Sequence, residues 1–75
     1  MITVTLEFRL LENKIKTGDR SVAEGTTISE LLLSNGLKWE QIPHLTVLVD
    51  GKYVDLGHQL KDGNFVRVLP LLEGG

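Results

Sequence analysis

Apolar and polar residues alternate without a break from Ile2 to Leu10: Ile2, Val4, Leu6, Phe8 and Leu10 are apolar, and Thr3, Thr5, Glu7 and Arg9 are polar. A period of two puts one set on a buried face and the other in water, the signature of a half-buried strand. Glu12-Asn13-Lys14 can turn, and Ile15 to Val22 is predicted as a weaker second strand, with a bulge or loop at Gly18-Asp19. The pattern then changes period. Thr27 followed three places on by Glu30 makes a capping box at a helix start. Ile28, Leu31, Leu32 and Asn35 keep helical spacing, and Gly36 stands where a left-handed C-terminal residue is wanted. Trp39 to Ile42 is predicted to add another helical turn, ended by Pro43.

Alternation returns at Leu45. Leu45 to Val49 leads into Asp50-Gly51, a strong hairpin signal, and Lys52 to Leu56 supplies the returning strand. Lys61-Asp62-Gly63-Asn64 is a second turn feeding a strand from Phe65 to Leu69, which Pro70 closes because it has no N–H for a ladder. Two strands, a helix and at least two more strands predict an α+β fold: a mixed four- to five-stranded sheet with one main helix on one face. A crossover through the helix brings the last strand beside the first and parallel to it. That is the ubiquitin-like β-grasp. A ferredoxin-like fold needs a second full helix, and Gly57 to Lys61 is too short for one.

Length narrows what such a body can do. Seventy-five residues make one small domain, read here as a body over 1–70 and a tail over 71–75. A domain of this size buries only about 60% of the surface of its unfolded chain, which leaves little for an enclosed cavity of ~300 Å³ or more. Function is therefore expected on the surface or at a terminus. Hydrophobic residues at 41% and charged residues at 24% are globular values, and the net charge of −2 gives neither a nucleic-acid arm nor a polybasic membrane anchor. With no cysteine there is no disulfide, zinc thiolate or thiol nucleophile. No apolar run approaches a membrane span and the start lacks a basic leader, so the cytoplasm is the expected compartment.

Few residues suggest chemistry. His44 and His58 lie on predicted loops without Glu or Cys at ligand spacing, so no metal site is expected. Asp50, Asp55 and Asp62 flank turns, where Asp is at home. Ser21, Ser29 and Ser34 have no histidine near them, and the glycines at 18, 25, 36, 51, 57 and 63 are scattered. The stretch Leu71-Leu72-Glu73-Gly74-Gly75 is different. Glycine costs more backbone entropy to order than any other residue, so a double glycine suits a bare, extended tail better than structural work. Five extended residues reach at most ~17 Å, far enough to thread a channel and deliver a carboxylate to another protein's active site. A loose terminus without a role is the bland alternative.

Val49-Asp50-Gly51, the Leu60-Lys61-Asp62-Gly63 turn, the Phe65 to Leu69 strand and the ending Pro70-Leu71-Leu72-Glu73-Gly74-Gly75 resemble the MoaD/ThiS family of ubiquitin-like sulfur carriers. Leu31 to Leu37 resembles that family's helix and its Gly-Leu exit. Pro70 is similar to the molybdopterin-synthase small subunit, and the Gly36-Leu37 exit to the thiamine-pathway carrier, which leaves the subfamily open. The resemblance implies a carrier rather than an enzyme, with no bound cofactor. An adenylyltransferase similar to the ubiquitin-activating enzymes uses ATP to adenylate Gly75, and a persulfide donor converts it to a thiocarboxylate. The sulfur then passes to a synthase subunit, for molybdopterin, thiamine thiazole or tRNA thiolation. Gly74 is implied because a Cβ there would obstruct the approach. Alternation places Phe65, Arg67 and Leu69 on the open sheet face if Val66 and Val68 face the helix, and with Leu71 and Leu72 these form the expected partner surface, Arg67 contributing a rim ion pair. Two rivals stand beside this reading: a modifier joined to lysines through Gly75, and a non-covalent interaction module with a dispensable tail.

Overall fold

The computed structural model describes residues 1–9 and 16–70. Five strands form one mixed sheet in the order β2-β1-β5-β3-β4. They are β1 (Ile2–Phe8), β2 (Gly18–Val22), β3 (Leu45–Val49), β4 (Lys52–Tyr53) and β5 (Phe65–Pro70), with helix α1 (Ile28–Ser34) between β2 and β3. The first strand and the last lie side by side and parallel, from Thr5 opposite Phe65 to Phe8 opposite Val68. This is the β-grasp arrangement predicted from the element order.

The two periodicities meet in one core. Val4, Leu6 and Phe8 of β1, Val47 and Val49 of β3, and Val66 and Val68 of β5 are buried against Ile28, Leu31 and Leu32 of α1. Ile42 and Leu60 close the ends of this layer. The helix begins as predicted: the Thr27 hydroxyl accepts from the Glu30 amide, while the Glu30 carboxylate accepts from the Thr27 amide. It ends in a Schellman motif, with Gly36 at φ +99° and amides of Gly36 and Leu37 reaching back to the carbonyls of Leu33 and Leu32. Arg20 ties β2 to this end, its Nε donating to Asn35 Oδ1 at 2.9 Å.

Several boundaries move. Ile15 and Leu10 lie outside the described residues, and β1 has its last strand residue at Phe8, although the Arg9 amide still bonds to Val68 O at 2.9 Å. No bulge interrupts β2; Gly18 and Asp19 pair regularly with Leu6 and Thr5, and the Asp19 carboxylate accepts from the Thr5 hydroxyl. The predicted strand from Lys52 to Leu56 contracts to two residues, because the chain is diverted to serve the helix. The Leu56 and His58 carbonyls accept from the Ser29 and Ile28 amides, two of the donors an isolated helix leaves without partners. Pro43 does not end a helical turn but lies inside a 3₁₀ turn, Ile42–His44, near whose start a missing N–H costs nothing. Pro70 is the last residue of β5 rather than beyond it, and pairs with Leu45. No helix among the described residues is long and apolar enough to cross a membrane.

Candidate functional site

With Val66 and Val68 fully enclosed under α1, the alternation along β5 turns Phe65, Arg67 and Leu69 onto the uncovered face of the sheet. The same rule applied to β3 adds Thr46 and Leu48, and the hairpin register puts Tyr53 opposite Leu48. This half of the face is therefore apolar: Phe65 is 36% exposed and Tyr53 79% exposed, with Leu48 and Leu69 half-buried between strands. The half built on β1 and β2 presents Thr3, Thr5, Glu7, Asp19 and Ser21 instead.

Arg67 lies where the halves meet. Glu7 of β1 stands opposite it on one side and Leu48 of β3 on the other. Its guanidinium lies 5.6 Å from the centre of the Phe65 ring, within cation–π range. Glu7 is only 16% exposed in its side chain; Oε1 accepts from Arg9 Nε and is 3.6 Å from Arg67 Nε. The hydrogen bond from Arg9, together with the charge of Arg67, holds the Glu7 carboxyl below the usual carboxylate range against the opposing effect of its burial. Glu7, Leu48 and Tyr53 escaped the sequence reading. Two-residue alternation along β3 and the two-residue Asp50-Gly51 turn carry the signal for Leu48 and Tyr53.

Phe65, Arg67 and Leu69 thus come together, while Leu71, Leu72, Gly74 and Gly75 lie outside the described residues. Strand β5 runs from the patch to Pro70 at the sheet margin, directly before that stretch. Beside its end, Lys38, Glu40, Gln41, His44 and Leu45 line an open cleft of about 570 Å³. His44 faces solvent there and His58 lies on the helix-capping loop, apart from it; among the described residues no three His, Cys, Asp or Glu side chains gather as metal ligands.

A family model described as the ThiS family matches residues 9–75. No curated protein matches the sequence. Among solved structures, molybdopterin converting factor subunit 1 from Pyrococcus furiosus is similar in fold, with a TM-score of 0.76 at 18% identity over 96% of this chain and 100% of that one. Small archaeal modifier protein 1 of Haloferax volcanii gives 0.72 at 14% identity, covering 96% of this chain and 100% of that chain. A complex of subunits 1 and 2 of the molybdopterin-converting factor from Helicobacter pylori 26695 contains a chain that gives 0.59 at 23% identity, covering 99% and 100%. These likenesses establish the β-grasp fold.

Proposed function

Since this chain belongs to the ThiS family, we propose that it is a sulfur carrier whose body presents the tail ending in Gly74-Gly75 to other proteins. In this reading Gly75 ends the mature chain. Its α-carboxylate is anionic at neutral pH and a poor electrophile, so it needs activation. An adenylyltransferase of the ubiquitin-activating kind brings ATP; the carboxylate oxygen attacks the α-phosphorus and pyrophosphate leaves. The terminal sulfur of a persulfide then attacks the carbonyl and expels AMP. A thiol cleaves the resulting acyl disulfide, leaving the thiocarboxylate on Gly75 and a disulfide on the donor. The carrier holds no cofactor, and the nucleotide is consumed by its partner in the cytoplasm.

The observation that carries this reading is a family match running through Gly75 on a β-grasp body whose last strand leads directly into the glycine tail. The Phe65, Arg67 and Leu69 face, with Leu71 and Leu72, serves as the docking surface. The two-subunit assembly of the Helicobacter pylori factor favours a synthase subunit as the acceptor of the sulfur. ATP–pyrophosphate exchange by the activating enzyme of the same host tests the proposal. Full-length chain should drive exchange, and deletion of Gly75 should abolish it with unchanged thermal stability. Undiminished exchange by the truncated chain rejects the reading. A modifier role, favoured by the likeness to small archaeal modifier protein 1, is separated by mass spectrometry from the native host: replacement of one terminal oxygen by sulfur marks a carrier, and Gly-Gly remnants on target lysines mark a modifier.

A further inference from the structure

The geometry points to a specific chemistry in whatever docks on the open face: an apolar surface carrying one Asp or Glu carboxylate that lands on Arg67. This rests on the docking role proposed above for the same face, and it follows from where Arg67 stands. Phe65 and Leu69 flank it along β5, Leu48 flanks it on β3, and Glu7 closes the fourth side. A partner that covers those three apolar side chains must also cover the guanidinium, which they flank on three sides at the border with Glu7. Its side chain is now 42% exposed and hydrated.

Covering a cation removes that water, and an unpaired buried charge is strongly unfavourable. The neighbours within the chain do not make up the loss. Arg67 Nε is already screened from solvent and has no hydrogen-bond partner among the described residues. The carboxylate nearest to it, Glu7, is 3.6 Å away and accepts its hydrogen bond from Arg9. Around Arg67 itself, Glu7, Arg9 and Arg67 hold one negative and two positive charges; a further carboxylate of the same face, Asp19, stands on β2 opposite Thr5 and accepts from its hydroxyl. The Phe65 ring offers its face, which favours a cation but supplies no lone pair. What is missing is an acceptor, and the planar fork of a guanidinium fits a carboxylate in two-point contact. Arg67 is then the specificity element of the patch, and the apolar side chains provide its area.

The test titrates the carrier against the activating enzyme of the same host, following binding by calorimetry and ATP–pyrophosphate exchange in parallel. Arg67→Met keeps the stem and removes the charge; Arg67→Lys keeps the charge and removes the fork. Arg67→Met should raise both the dissociation constant and the half-saturating concentration by about tenfold or more, the usual cost of losing a charged hydrogen bond. Its maximal rate and unfolding midpoint should stay close to wild type, and its binding should lose much of the salt dependence of the wild type. Arg67→Lys should fall between. Equal or tighter binding by Arg67→Met, with unaltered salt dependence, overturns the inference and leaves Arg67 as an apolar stem. A wild-type chain that binds without being adenylated rejects the carrier reading while the Arg67 comparison still stands; a wild-type chain that does not bind rejects both.

Discussion

Single residues set the pH response of this protein. Glu30 sits in the first turn of α1, and hydrogen bonds from the Thr27 amide and hydroxyl hold its carboxyl below the ordinary glutamate range. Glu7 is lowered in the same direction by Arg9 and then Arg67. A carboxyl that is more acidic when folded contributes stability above its unfolded pKa, and that contribution disappears as the pH falls through the folded value. Urea unfolding measured at successive pH values should therefore show stability declining from about pH 5 downward. Glu30→Gln should be less stable at neutral pH and show a shallower decline. An unchanged slope would mean that the capping box does not hold in solution. The box itself was legible in the sequence because both partners lie within one turn. The bond between Arg20 and Asn35 was not, since it joins side chains brought together only when β2 and the end of α1 dock on the same layer.

At the level of elements, local chemistry wrote the hairpins and tertiary demand trimmed them. Asp50 at φ +51° and Gly51 at φ +84° form the turn between β3 and β4 that the dipeptide predicts. Asp50 also reaches outside its own hairpin, accepting from the Phe65 amide at 2.9 Å and from Asn64 Nδ2 at 2.8 Å, so one side chain fixes where β5 begins. Asp50→Ala loses both bonds and puts a Cβ-bearing residue without compensation in the left-handed region. It should destabilise the domain by about 1–3 kcal/mol, read as a lower urea midpoint at unchanged m-value; an unchanged midpoint would disprove this anchoring. The shortening of β4 was hidden for the opposite reason. Val54 and Leu56 look like strand residues in isolation, yet the carbonyls near them are drawn to the amides of Ile28 and Ser29, a need that only the assembled helix creates.

Across the whole molecule, the strand that carries the candidate surface also contributes to the core on its other side. Val66 and Val68 are fully buried, while the residues between and beside them face the patch. Val66→Ala should lower stability by about 2–3 kcal/mol through lost burial and an unfilled cavity, measured by chemical denaturation. A loss well under 1 kcal/mol would show that the layer around β5 is loosely packed. The parallel pairing of the first and last strands was legible because two strands, a helix and then further strands in so short a chain leave few ways to pack a helix on a sheet. The composition of the open face was only half legible: β5 alternates plainly, but Leu48 and Tyr53 join it through registers that depend on which strands become neighbours.

Strand β5 is hydrogen-bonded on both flanks, in parallel to β1 and antiparallel to β3. Tension applied to the polypeptide beyond Pro70 therefore acts along the strand rather than across it. Such a load is shared by two ladders in shear, all rungs resisting at once, whereas a peripheral strand peeled from its end would yield rung by rung. A body built in this way is a firm handle, able to be pulled upon by its far end without coming apart.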